Sequence, residues 1–268
     1  VAPQRERLRL VGLVHHPLAL ETGLDEALRR QLYRSECEAL RAVRQIIVTS
    51  PHTVRALADY RIAPERCLVV SPGTDPAPLA TGSTDETPTL LCAASLTPRK
   101  GHAVLLRALA RLKQLPWRLR CAGSATLDPV TAARLHALTG ELALADRVAW
   151  LGELNAGALA DHYLEADLFV LPSFYEGYGM VLAEALARGL PIVSTTAGAI
   201  PDTVPAGAGL LVPPGADAVL AAALSRVLTE PEYRQQLAAG ARAARGALPD
   251  WPSACARFAA ALAAMPAR

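Results

Sequence analysis

The chain has 268 residues, enough for two ordinary domains, and with 51% of them apolar and 19% charged it is not a disordered chain. A net charge of +2 without a long basic run gives no electrostatic case for a nucleic-acid partner. No apolar run reaches the roughly 18 residues of a membrane span, and no signal peptide opens the chain, whose first residue is Val1.

The first apolar run, Leu8–Val14, predicts a strand, and His15-His16-Pro17 follow it. Adjacent histidines point in different directions, so a metal clamp from both is not expected. His15 reads equally as a polar loop residue or as a donor to a reacting group. A helical pattern over Asp25–Val43 precedes strand candidates at Gln45–Thr49 and Cys67–Ser71, with a helical pattern over Pro51–Ala58 between them. Ser71–Pro88 then breaks the rhythm. It is rich in Pro, Gly, Ser, Thr and Asp, shows no periodicity, and predicts a linker between two lobes.

Beyond the linker, strand candidates at Leu90–Ala94, Arg118–Ala122, Val148–Leu151, Leu168–Leu171, Ile192–Ser194 and Gly209–Val212 alternate with helical patterns. Those patterns fall at Ala103–Leu112, Pro129–Leu138, Ala156–Tyr163, Gly179–Ala187, Asp217–Leu228 and Glu232–Ala244. The strands are continuously apolar rather than alternating, which predicts parallel sheets covered on both faces. The expected class is α/β, with two Rossmann-like doubly wound lobes: residues 1–75 for the first, 76–248 for the second and 249–268 for a C-terminal helix. Only three strand candidates precede the linker, too few to cover such a sheet, so the first lobe is expected to be incomplete or to pair with something further. The last helix, about Pro252–Ala264, carries one apolar stripe at Ala254, Phe258, Ala261 and Leu262. That stripe fits a cap on the second lobe and a crossing back to the first equally well.

Five cysteines (Cys37, Cys67, Cys92, Cys121, Cys255) are scattered and never spaced as C-x-x-C. They are expected to be reduced core residues of a cytoplasmic protein. Peripheral contact with the cytoplasmic face of a membrane stays open, because a lipid-linked substrate would be met there.

The chemistry concentrates in Leu168–Val193, where a buried strand ends in Pro172-Ser173 and a loop with two glycines leads into a helix from Gly179. Ligands of open parallel sheets bind beyond the carboxyl ends of the strands. Gly177 and Gly179 let backbone approach a ligand, and the helix start offers free N–H groups and a positive dipole end suited to phosphate. Glu176 in the loop and Glu184 in the helix flank this feature. A carboxylate near phosphates makes sense if it accepts hydrogen bonds from hydroxyls, as sugars and ribose provide. The plainer reading makes Glu176 a helix cap and Glu184 a solvated helix residue, but Val181-Leu182-Ala183 and Ala185-Leu186-Ala187 surround Glu184 with apolar neighbours, where a carboxylate needs a partner. Arg99 and Lys100 form a second strand-end turn before a helix, and two adjacent cations suit a diphosphate. A solvated basic turn is the alternative.

Pro172-Ser173-(x)2-Glu176-Gly177-(x)-Gly179-Met180-(x)3-Glu184-Ala185 resembles the two-glutamate signature of the retaining glycosyltransferases of family 4, which have the GT-B fold. Thr97-Pro98-Arg99-Lys100-Gly101, Arg147-Val148-(x)2-Leu151-Gly152, Gly189-Leu190-Pro191-Ile192-Val193 and Pro72-Gly73-Thr74-Asp75 are also similar to that family, over nearly the whole chain.

The resemblance implies a hexosyltransferase that takes its sugar from a UDP-, GDP- or ADP-linked donor, without cofactor or metal, and passes it to a sugar, lipid or small-molecule acceptor. Glu184 would hold the ribose hydroxyls. Glu176 would face the transferred sugar, with backbone around Gly177, Tyr178, Gly179, Met180 and Val181 near sugar and phosphate. Lys100, helped by Arg99, would neutralise the diphosphate, His15 would face the reacting sugar from the first lobe, and Leu151, Gly152 and Leu154 would lie near the base. Two departures stand out. The family usually has Gly-Arg ahead of the lysine where this chain reads Ala94-Ser95, and its members carry a further segment, with a glycine-rich donor loop, ahead of the position of Val1. A nucleotide-sugar-binding or partner-dependent subunit without its own catalysis is the second reading. A Rossmann dehydrogenase is disfavoured, since no G-x-G-x-x-G follows the first strand.

Overall fold

The computed structural model describes residues 4 and 7–265, so Val1 lies outside the described residues. Elements run β1 (Val11–Val14), α1 (Glu26–Ala42), β2 (Gln45–Val48), α2 (Pro51–Leu57), β3 (Cys67–Val69), β4 (Thr89–Ala93), α3 (His102–Ala110), β5 (Arg118–Ala122), α4 (Pro129–Glu141) and β6 (Val148–Gly152). They continue with α5 (Ala156–Leu164), β7 (Leu168–Leu171), α6 (Met180–Ala187), β8 (Ile192–Thr195), α7 (Ile200–Thr203), β9 (Gly209–Val212), α8 (Asp217–Thr229), α9 (Pro231–Ala244) and α10 (Trp251–Ala263). The alternation expected from the apolar runs is present throughout. The short α7 has no counterpart among the expected helices, because four residues are too few to show a helical period.

Among the described residues the strands form two parallel sheets, β1-β2-β3 and β6-β5-β4-β7-β8-β9. The strands of the larger sheet's centre are buried end to end: every residue of β4, β7 and β8 is buried, the polar Thr89, Ser194 and Thr195 included. Packing on both faces is the reason, with α3 against α4 and α8, and α6 against α9. Each fully buried leucine or phenylalanine in β7 contributes about 1.5–3 kcal/mol by leaving water. The strand order reverses between β4 and β7: the chain builds outward through β5 and β6 on one side and through β8 and β9 on the other. Loops leaving β4 and β7 therefore diverge and open a crevice at the carboxyl edge. The Arg99–Lys100 turn follows β4 and the glutamate loop follows β7.

The smaller sheet carries α1 and α2 on one face, around Leu40, Ile46, Val48, Leu57 and Tyr60. Its other face, through Ile47 and Val70, packs on Ala261 and Phe258 of α10. Of the two placements open to the last helix, the crossing back to the first sheet is the one found, and Arg257 adds a 3.0 Å bond from Nη2 to the Val69 carbonyl. The return passes beside the outgoing linker. Thr74 N–H donates to the Pro249 carbonyl at 2.7 Å, and Gly73 lies so close to Trp251 that a Cβ would sit 2.4 Å from its backbone nitrogen.

Residues 71–88 have no regular structure, yet they are fixed to the second lobe. The Asp167 carboxylate accepts from Ser83 N–H at 3.3 Å and Thr89 N–H at 2.8 Å, and the Leu164 carbonyl accepts from Thr81 N–H. No helix among the described residues is long and apolar enough to cross a membrane. The cysteines are unpaired, but two are not core residues: Cys255 is exposed on α10 and Cys67 is half-buried on an edge strand. Cys255 is exposed because α10 packs on only one stripe, and Cys67 packs against the first lobe's core from the sheet edge.

Candidate functional site

At the end of β7, Ser173 and Glu176 are buried, and α6 begins only at Met180. Glu176 does not cap that helix. Its N-cap is Gly179, at φ 85°, with no side-chain cap, so the first-turn N–H groups of α6 are open. Glu176 turns the other way. Its Oε1 accepts from Lys100 Nζ at 2.7 Å and from Ser173 Oγ at 2.7 Å, with Arg99 Nη1 at 3.6 Å. The turn after β4 and the turn after β7 are thereby joined across the switch point by a nearly buried ion pair.

Arg99 is equally committed. It donates from Nη1 to the Tyr175 carbonyl at 2.8 Å, and its Nε lies 3.0 Å from the carboxylate of Glu21, which belongs to the first lobe. Glu21 also lies 3.4 Å from His16 Nε2. The two cations expected to face a diphosphate are both held by resident carboxylates, so a diphosphate would have to share or replace those partners. Burial is the reason: cations this shielded need counter-charges in place.

Gly177 fits the first lobe rather than an open space. A Cβ there would sit 2.0 Å from the His15 carbonyl oxygen, and Thr49 Oγ1 donates to the carbonyls of both His15 (3.2 Å) and Gly177 (3.3 Å). The His15 side chain is exposed beside this contact. A second interlobe contact comes from Asp202 on α7, which accepts from His52 N–H at 2.8 Å and from Arg55 Nη2 at 3.0 Å. Behind the loop, Gly198 at φ 59° leaves room for the Glu176 backbone, where a Cβ would be 2.3 Å from the Glu176 oxygen, and Ala199 N–H donates to that oxygen at 2.8 Å. Tyr178 is half-buried and its carbonyl accepts from Thr203 Oγ1 at 2.5 Å.

Glu184 lies elsewhere, five residues into α6. It is partly buried among Leu182, Ala183, Ala185 and Leu186, all fully buried. The partner it needs is Tyr163 of α5, whose hydroxyl donates to Oε2 at 3.1 Å; Oε1 has no partner among the described residues. Burial pushes the Glu184 carboxyl pKa up, and nearby Asp75 adds to that, against Tyr163 and Arg188. Arg188 covers the Tyr163 ring at 4.3 Å. Glu184 lines a cavity of about 280 Å³ with Met180, Tyr163, Arg188, Thr74, Asp75 and Trp251. Val181 presents its carbonyl to the Tyr163 hydroxyl at 3.3 Å.

The structure thus brings Arg99, Lys100, Glu176 and Gly177 together, and places Met180 and Glu184 in an adjoining cavity that Lys100 does not line. Leu151 and Gly152 end β6, and Leu154 precedes α5; none of the three lines that cavity, whose α5 side is formed by Ala156, Leu159 and Ala160. Glu21, Thr49, Gly198 and Asp202 were not singled out from sequence as site residues. Glu21 and Arg99 are 78 positions apart, so no local pattern could join them.

Two parallel-sheet lobes, with their carboxyl edges in contact and a glutamate–lysine node at the switch point of the larger one, define a GT-B glycosyltransferase fold. The chain belongs to the glycosyl transferases group 1 family, whose sequence model matches residues 78–244. It is 33% identical over 243 residues to D-inositol 3-phosphate glycosyltransferase of Kineococcus radiotolerans, covering 79% of this chain and 55% of that protein. It is 31% identical over 268 residues to MMP alpha-(1->4)-mannosyltransferase of Mycolicibacterium hassiacum, covering 92% of this chain and 63% of the other. The chain therefore spans about half to two-thirds of these relatives' length. Among solved structures, sucrose-phosphate synthase from Thermosynechococcus elongatus superposes with a TM-score of 0.84 at 25% identity, over 97% of this chain and 69% of that one. Anabaena HepE in complex with UDP and glucose superposes with a TM-score of 0.84 at 22% identity, over 96% and 72%.

Proposed function

We propose that the chain carries the donor site of a retaining hexosyltransferase of family 4, which moves a sugar from a nucleoside-diphosphate sugar to a sugar, lipid or small-molecule acceptor. The observation that carries the reading is the Lys100–Glu176 pair at the β4/β7 switch point, beside the uncapped start of α6. A pyrophosphate placed there meets open N–H groups, the positive helix end and the Lys100 ammonium. Glu184, with one oxygen unpartnered and facing an adjoining cavity, accepts the vicinal hydroxyls of a ribose. Anabaena HepE, which shares the fold, is described with UDP and glucose bound, in keeping with a nucleotide-sugar donor.

Bond cleavage at the glycosyl carbon leaves negative charge on the departing diphosphate. Lys100 and the α6 N-terminus neutralise it where it develops, without a metal ion as the source of positive charge. Glu176, released from Lys100 as the diphosphate takes that ammonium, accepts hydroxyls of the sugar. The acceptor attacks the face the diphosphate leaves, which retains the anomeric configuration, and His15 on the first lobe borders that space. The unpaired cysteines fit a reducing, cytoplasmic setting.

Titration of UDP, GDP and ADP into the chain, read by thermal shift, identifies the base. Incubation with the matching nucleotide sugars and an acceptor panel, with product anomers read by NMR, then tests transfer and retention. Nucleotide binding without turnover, against any acceptor, would favour a binding subunit; no binding of any nucleoside diphosphate would end the donor-site reading.

A further inference from the structure

A second cavity, of about 510 Å³, lies between α3 and α4, next to the Thr97–His102 turn and away from Glu184. Its floor is apolar, formed by Val104, Leu135 and Leu138, and the partly exposed Phe174 ring stands at its mouth. Arg107 and Arg134, both exposed, border it, and no ion pair among the described residues includes either. No side chain caps α3, so its first N–H groups open here beside Gly101 and His102. His102 lines the cavity, is only 2% exposed, and its Nδ1 has no hydrogen-bond partner. Its Nε2 lies 3.6 Å from Cys92 Sγ, and the unpartnered Nδ1 is costly unless a ligand group or ordered water satisfies it.

These features select a ligand. The volume suits a small molecule rather than an ion. The floor calls for an apolar body, while the helix start and two unpaired guanidiniums call for negative charge. Both α3 and α4 start at the carboxyl edge of the sheet, so the anion belongs at that edge, near Gly101 and Thr131. Glu141 lies ten residues further along α4, about 15 Å away, at the end left for the apolar body. We propose that this cavity is a binding site for a soluble amphipathic anion, such as an aryl phosphate, separate from the donor site. Its occupant would lie against the far side of the turn bearing Arg99 and Lys100. The site stands whether or not the donor reading holds.

The test is calorimetric titration of the full chain with 1-naphthyl phosphate, with 1-naphthol and inorganic phosphate as the two halves. The expected result is binding of naphthyl phosphate at least about tenfold tighter than either half, undiminished by saturating UDP, GDP or ADP. The double variant Arg107→Glu/Arg134→Glu is expected to lose at least about tenfold in affinity. Ala137→Trp, which fills the cavity from an exposed helix position, is expected to abolish binding; both changes are at surface positions, and circular dichroism checks the fold. No binding by the parent, displacement by a nucleoside diphosphate, or unchanged affinity in both variants would overturn the proposal.

Discussion

Glu176 and Glu184 sit eight positions apart on one loop-helix segment and occupy opposite electrostatic situations. Glu176 is held through Oε1 by an ammonium and a hydroxyl, with a guanidinium nearby, so cations stand against its charge. Glu184 has a single hydroxyl partner and an apolar surround that pushes its pKa up. Counter-charge, rather than burial alone, decides what a carboxylate costs. Glu176 is already bonded and must exchange partners to act. Glu184 is under-satisfied and gains by accepting hydroxyls. On the proposed function, the first serves a step in which charge moves and the second serves binding.

The largest effect is expected where that pairing is broken. Lys100→Ala leaves the nearly buried Glu176 without its closest cation and removes the ammonium from the proposed diphosphate position. Loss of one such transition-state contact costs about 10²–10³ in rate, and breaking a buried pair costs about 3–5 kcal/mol of stability. Transfer kinetics and thermal melting read the two separately. Glu176→Ala should lose transfer similarly while nucleotide binding is largely kept. Equal nucleotide affinities but parental turnover in either variant would dissolve the distinction between the two glutamates.

Next in size is Glu184→Ala. Loss of a carboxylate proposed to accept the ribose hydroxyls should weaken nucleoside-diphosphate binding by about 1.5–3 kcal/mol, roughly 10–150-fold, measured by titration. The loss should appear with the bare nucleotide as well as with the nucleotide sugar. A variant that binds nucleotide like the parent but fails to transfer would exchange the roles assigned to the two residues.

A smaller effect is expected at Glu21, which ties Arg99 to the first lobe. Glu21→Gln keeps the size and removes the charge, on a pair that is 20% and 34% exposed. About 1 kcal/mol or less is at stake, and it should shrink as salt rises. The readout is the ionic-strength dependence of melting and of KM; a salt-independent change would point to packing instead.

These residues also mark where the sequence stops being informative. The strand-end turns bearing Arg99–Lys100 and Glu176 were legible, because buried strands followed by Pro, Gly and a helix pattern fix where a loop emerges. Glu184 was legible as an anomaly, a carboxylate inside an apolar helix, although only the fold supplies Tyr163 as its partner. What the charges touch was not legible. Glu21–Arg99, Thr49–Gly177 and Arg55–Asp202 are separated by 78, 128 and 147 positions and depend on how two lobes meet. Gly177 shows the limit best: from sequence, the missing Cβ reads as room for a ligand, and the structure fills that room with the His15 carbonyl. The last helix gave two equal placements because an apolar stripe does not say which sheet it covers.

The smallest predicted effect is also the one that probes Glu184 without removing its hydrogen-bonding shape. Its carboxyl pKa is raised in the folded chain, chiefly by burial. A raised pKa means that the folded state binds the proton more tightly than the unfolded one. The protonated form is therefore the favoured folded form, and stability associated with it falls as pH rises from the ordinary glutamate value through the raised one. Glu184→Gln, neutral at every pH, lacks this dependence. The variant should melt above the parent at neutral pH, and the gap should close as the pH is lowered toward the ordinary glutamate range. Nucleotide binding should run the other way, because ribose hydroxyls donate to the ionised carboxylate. Affinity of the parent should rise with pH through the same window, while that of Glu184→Gln stays flat. A melting gap that widens on acidification would show that the charged form is the stabilised one, and would remove the reason for treating Glu184 as a carboxylate that lacks a partner until a nucleotide arrives.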